Sequence, residues 1–165
     1  MILVQTFQRL NDSWLGHMGR ETAWLFAASQ TVHFIALCFL LGAMLVIDLR
    51  LLGFARGIPI RAALRLVPVA LGAFVFMLLT GIVFFCTHPF NYAPNWGFWT
   101  KMGIILFAGL NLLWFEFRER RKVLRLADDG DTDFATKVVA GLSLLCWFTV
   151  LTLGRMLPYL NPGQG

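Results

Sequence analysis

Charge is what this chain has least of. Asp, Glu, Lys and Arg together make up 14% of its 165 residues, against 58% hydrophobic residues, where a soluble domain carries about 25% charged residues. With a mean hydropathy of +0.70, the composition excludes an ordinary water-facing surface. The net charge of +5 would suit a nucleic-acid partner, but the cations sit in short segments between apolar runs, as orientation signals do. No nucleic-acid partner is expected. Cysteine is also scarce. Cys38, Cys86 and Cys146 all fall within apolar runs, which excludes a disulfide framework and reads as small buried hydrophobes. The opening run Met1 to Val4 is too short and lacks the basic start of a signal peptide, so the N-terminus is expected to be retained. The acidic stretch around Asp128, Asp129, Asp131 and Asp133 lacks the spacing of a calcium-binding loop and reads as solvation.

What the chain does have is four long apolar runs, at about 22–48, 64–87, 98–118 and 136–158, each long enough for the roughly 20 residues that a bilayer crossing takes. The fold expected is all-α: a single integral membrane domain over 1–165, built as a four-helix up-down bundle of antiparallel neighbours joined by short loops. Ahead of the first run, Phe7, Leu10, Trp14, Leu15 and Met18 recur at helical spacing. That predicts a short amphipathic helix over about 5–19, lying in the interface. Pro68 falls in the first turn of the second run, where its missing N–H does little harm. The connections after the first and third runs hold Arg50, Arg56, Arg61 and Arg65, and six further lysines and arginines, while the second holds none between His88 and Thr100. By the positive-inside rule those two connections are cytoplasmic, and both termini lie on the periplasmic side of a bacterial inner membrane.

Polar residues inside the runs are the functional signal, because an ionisable group in hydrocarbon normally faces other helices, a cavity or a cofactor. His33 lies 15 residues from Asp48, Lys101 15 from Glu116 and Arg155 18 from Lys137. At about 1.5 Å per residue these separations put the three at roughly 22, 22 and 27 Å above a common inner level. Gln30 falls one turn further out on the face of His33. His88 comes out about 12 Å higher than His33 on the same arithmetic, so the two make a poor pair of haem ligands. The layer is read as a site for haem b or a similar redox cofactor, with His33 on the iron, Lys101 as a second ligand or, with Arg155, a partner for anionic groups, and Gln30 nearby. Electron exchange with a membrane quinone or a redox partner protein would follow.

Copper handling is the rival, from the collection of His17, Met18, Cys86, His88, Met102 and Met156 towards the outer end. A third reading is a cofactor-free subunit of a larger complex, or an oligomer, packed through aromatic faces. Each site residue also has a structural explanation. His33 can be bonded to Gln30 or a neighbouring helix, Lys101 and Arg155 can snorkel to the headgroups, and His88 before Pro89 can simply end a helix. Asp48 and Arg50 can anchor the inner end of the first helix, with Asn111 hydrogen-bonding within the bundle.

The string Asp48-Leu49-Arg50-Leu51-Leu52-Gly53, then Phe98-Trp99-Thr100-Lys101, Ala108-Gly109-Leu110-Asn111, Ser143-Leu144 with Trp147, and Gly154-Arg155 resembles a family of small bacterial inner-membrane proteins of unknown function. The resemblance covers roughly 20–160 and implies a four-helix fold, with no activity to inherit. More distantly the layout is similar to the copper-resistance D membrane proteins and to the small haem-binding protoporphyrinogen oxidase of bacteria. The latter also pairs a first-span histidine with a lysine at the start of the third span. Only His33 and Lys101 carry over. That oxidase has a further histidine just before the lysine, where this chain has Trp99 and Thr100.

Overall fold

The structure, a computed structural model, describes residues 2–126 and 130–160. In chain order the helices are α1 (Ile2–Asn11), α2 (Trp14–Glu21), α3 (Ala23–Leu52), α4 (Ile60–Leu64), α5 (Val67–Thr87), α6 (Pro89–Tyr92) and α7 (Trp96–Trp114). A π-helical turn, Phe115–Glu119, carries α7 into α8 (Arg120–Val123), and α9 (Phe134–Met156) closes in a 3₁₀ turn, Leu157–Tyr159. No strand occurs among the described residues.

Four stretches, Trp24–Leu52, Ile60–Thr87, Trp96–Val123 and Phe134–Tyr159, are long and apolar enough to cross a membrane. Helices satisfy their own backbone hydrogen bonds, which is what hydrocarbon demands of a spanning segment. Their outer faces carry exposed Phe34, Phe39, Phe76, Leu106, Leu113 and Phe148, an arrangement stable against lipid and costly against water. The chain is a multi-pass membrane protein.

The interfacial segment differs from the single helix its periodicity suggests. It breaks at Asp12-Ser13 into α1 and α2, because Ser13 turns extended and its hydroxyl caps α2 by accepting from the Gly16 N–H. Arg20 on α2 then donates to the Asn11 carbonyl and side chain, both at 2.7 Å, and to the Thr87 carbonyl at 3.4 Å. One guanidinium thus covers the C-terminal ends of α1 and α5, where helix carbonyls lack intrahelical donors.

In cross-section α3 packs on α5 and on α9, and α9 packs on α7, whereas α5 and α7 form no packed interface with each other. The bundle is therefore open along one side. The ends of α5 and α7 next to α6 are nevertheless held together by the stacked rings of Phe85 and Phe98 at 5.4 Å. Below that stack, small residues on α3, α5, α7 and α9, namely Ala43, Ala70, Ala73, Ala108 and Ala140, are buried in the core.

The opposite end, which carries the arginine-rich connections, is closed by a polar cap. Asp48 and Arg50 sit inside the bundle rather than among headgroups, at 3% and 0% exposure. Arg50 is covered because the 130–133 segment folds back over it: Nε donates to the Ile58 carbonyl at 2.6 Å and Nη2 to the Gly130 carbonyl at 3.2 Å. The Thr132 hydroxyl donates to the Leu51 carbonyl. Gly53, at φ +90°, ends α3 in the left-handed region, where a Cβ would be strained. The π turn brings Glu119 inward, 3% exposed, against the Thr136 hydroxyl at 2.9 Å and the Lys122 ammonium at 3.1 Å.

Candidate functional site

Two regions of the membrane interior hold polar groups that the packing does not explain. The first is the layer that the sequence points to. His33 on α3 is half-buried, with Nδ1 2.6 Å from the Thr80 Oγ1 on α5 and its ring 5.1 Å from that of Phe84. The Thr80 hydroxyl has one proton, and its oxygen lies 2.8 Å from the Phe76 carbonyl one turn back along α5. When a helical threonine donates that proton to the i−4 carbonyl, its oxygen accepts and His33 Nδ1 carries the N–H. Nε2 is then the bare nitrogen, with no hydrogen-bond partner among the described residues. An imidazole fixed through one nitrogen with the other free is how proteins prepare a histidine for a metal.

Lys101 on α7 is half-buried and within electrostatic reach of His33. Its ammonium lies against Gly154 of α9: a Cβ built there would stand 3.3 Å from Nζ. The absent side chain leaves room for the lysine stem. Arg155 and Gln30 are exposed, so the structure gathers His33 and Lys101 and leaves the other two members of the expected layer on the surface. His88 packs edge-on against Phe26, ring centres 5.5 Å apart, and Phe26 against Phe84 at 5.6 Å. The two membrane histidines are thus connected through two phenylalanines and do not face each other. His17 is on the surface, 3.0 Å from Glu21. Cys86 and Cys146 are buried, whereas Cys38, expected inside, is exposed on the lipid-facing side. Among the described residues no three His, Cys, Asp or Glu side chains gather to hold a metal. Asp128 and Asp129 of the acidic loop lie outside the described residues. Asp131 pairs with Lys137 at 2.9 Å and Arg56 at 3.3 Å.

The second region was not visible in the sequence. Where α5 and α7 fail to meet, a cavity of about 510 Å3 opens between them, floored by α3 and α9. Leu71, Leu106, Leu110 and Leu113 form its rim and are exposed, so the mouth opens sideways onto the lipid-facing surface. The lining is apolar except for Asp48, Asn111 and Ser143. Asp48 is buried, the Ser143 hydroxyl is near enough to interact with its carboxyl, and Oδ2 has no hydrogen-bond partner. Asn111 donates from Nδ2 to the Val139 carbonyl at 3.0 Å. A stretch such as Asp48-Leu49-Arg50 signals a helix end in one dimension; only the failure of two helices to pack turns its first residue into a cavity lining.

The fold and these two regions define a small four-helix membrane protein with polar groups set into an otherwise apolar interior. Within that class the chain belongs to the family of unknown function DUF6644, whose sequence model matches residues 6–160. Neither the curated proteins nor the solved structures contain a match to it.

Proposed function

We propose that this protein binds a b-type haem, or a closely similar redox cofactor, through His33, and takes part in electron transfer within the membrane. The observation that carries the reading is the Thr80 contact, which fixes His33 through Nδ1 and supports a tautomer with the Nε2 lone pair open to iron. Lys101, half-buried beside Gly154, is the cation available to an anionic substituent such as a propionate, since a buried ammonium needs such a partner. Gln30 and Arg155 are exposed and lie outside the enclosed part of the site. When bound, haem supplies one-electron chemistry. The protein's own contribution is to orient the imidazole, hold a positive charge nearby and exclude water with Phe84 and its neighbours. The electron donor or acceptor is a membrane quinone or a redox partner protein. Arg56, Arg61 and Arg65, with Arg118 to Lys122, favour a cytoplasmic location for the capped end. That orientation puts His33 in the outer, periplasmic half of a bacterial inner membrane, with both termini outside.

The test is the absorption spectrum of protein made in cells supplied with haem and purified in mild detergent. A Soret band that disappears in His33→Ala and survives in His88→Ala is the expected result. Thr80→Val should keep haem but shift its midpoint potential, because the imidazole loses its orienting acceptor. Colourless protein from haem-replete cells sinks the reading. Stoichiometric copper lost on His88→Ala would replace it with copper handling, and a fixed co-purifying partner with no cofactor would replace it with an accessory subunit.

A further inference from the structure

We propose that the lateral cleft between α5 and α7 binds the headgroup of a prenylated quinone, with Asp48 as its hydrogen-bonding residue. The proposal stands on the cleft alone and does not require haem at His33. Three features converge on a lipid-soluble ligand with one polar end. The mouth, framed by Leu71, Leu106, Leu110 and Leu113, gives onto the bilayer rather than onto water, so whatever enters must partition into hydrocarbon first. The walls are aliphatic and aromatic, with Phe74, Phe115 and Trp147 available to a flat ring. The floor holds a carboxyl that is 3% exposed and has one oxygen unpartnered, and an unmet buried polar atom is costly unless something satisfies it.

The chemistry of that carboxyl favours a quinone over a simple acyl chain or alcohol. A neutral carboxyl donates through its O–H and an ionised one only accepts. A quinone carbonyl only accepts, and the hydroxyl of the reduced form donates. One buried aspartate therefore has a matching state for each form of the ligand; an aliphatic alcohol, whose hydroxyl both donates and accepts, can pair with the same carboxyl but brings one oxygen, and a hydrocarbon tail brings none. Asn111 and Ser143 beside it supply the additional polar contacts that a ring with two oxygens can reach. Leu40, Phe74 and Met102 bound the cleft on the side towards the outer layer, and Met102 directly follows Lys101. A quinone ring held against Asp48 would lie about 22 Å below the level of His33 at the helical rise of about 1.5 Å per residue.

The experiment uses the full chain in lipid nanodiscs and measures retention of decylubiquinone above empty discs by equilibrium dialysis, with decanol as competitor. Saturable binding that weakens about tenfold in Asp48→Leu, the loss expected for a hydrogen bond to a buried carboxyl, and disappears in Gly109→Leu supports the proposal. Gly109 lines the cleft and a Cβ there meets nothing within 4 Å, so this second variant fills the cavity without straining the fold. Binding that is unchanged in both variants overturns it. So does full displacement by decanol with the same dependence on Asp48, because the site would then take any alcohol. The haem spectrum of each variant is recorded in parallel. Loss of quinone binding with an unchanged Soret band, or the reverse, tells the two readings apart.

Discussion

The capped end and the membrane interior both contain buried polar side chains, and they differ in what those side chains join. In the cap, Arg50 reaches the Ile58 and Gly130 carbonyls, Thr132 reaches the Leu51 carbonyl, and Glu119 meets Thr136 and Lys122. Asp131 meets Lys137 and Arg56 as well. In the interior, His33 has one nitrogen engaged and one free, and Asp48 has an oxygen without a partner. A buried polar group whose bonds are satisfied within the chain holds elements together and has nothing left for a ligand. One with an unused lone pair or proton costs stability and is retained where something else completes it. Arg50, Thr132 and Glu119 read as architecture because their bonds tie one segment to another, and His33 and Asp48 read as site because the cleft or a ligand can complete them.

The sharpest way to break that division is Arg50→Met, which keeps most of the volume and removes the donors. Two carbonyls in a sealed cap would lose their partner, and the variant should be destabilised by at least about 3 kcal/mol. Unfolding in detergent, followed by circular dichroism, checks this; a loss under about 1 kcal/mol would mean that water enters the cap and that the burial argument fails. The same rule applies at the opposite end. Asn95, 1% exposed, accepts from the Gly97 N–H at 2.9 Å and donates to the Leu157 carbonyl at 2.9 Å, capping α7 while tying it to the end of α9. Asn95→Ala should cost about 2 kcal/mol, measured by the same unfolding curves.

How much of this was legible beforehand follows from what each feature depends on. The spans are local: unbroken apolar runs fix them, and the observed Trp24–Leu52 and Phe134–Tyr159 differ from expectation by a few residues at the ends. α3 runs past its expected end to Leu52, and Arg50 near that end is covered by a segment 80 residues away, which no local pattern reports. His33 and Lys101 stood out because charge and imidazole are rare in such runs, and helix rise put them at one height. Rise says nothing about rotation, which is why Gln30 and Arg155 were grouped with them yet are exposed. The Thr80 contact and the cleft depend on which helices pack together. Alanines and a glycine at 70, 73, 108 and 109 look alike whether they bring two helices together or line the gap between them.

The interior side of the comparison makes the opposite prediction from the cap. Replacing Asp48 with leucine removes an unpartnered polar atom and adds apolar volume facing an existing cavity, so stability should hold to within about 0.5 kcal/mol or rise. The same variant is the one expected to lose quinone. A clear fall in stability would show that Asp48 is architecture after all.

The smallest effect is in the pH response of the cap. The Lys137 ammonium, foremost, and Arg56 hold Asp131 below the usual carboxylate range, and the Thr136 hydroxyl and N–H do the same for Asp133. A carboxyl whose pKa is lower in the folded state stabilises the fold above its unfolded pKa of about 4, and that contribution disappears as pH falls through the folded value. The contribution of these two carboxyls to the melting temperature should therefore be constant from neutral pH down to about 5 and decline only below about 4. Both groups are solvent-exposed, so screening keeps the decline shallow, and salt should flatten it further. Lys137→Met should remove part of the acid sensitivity.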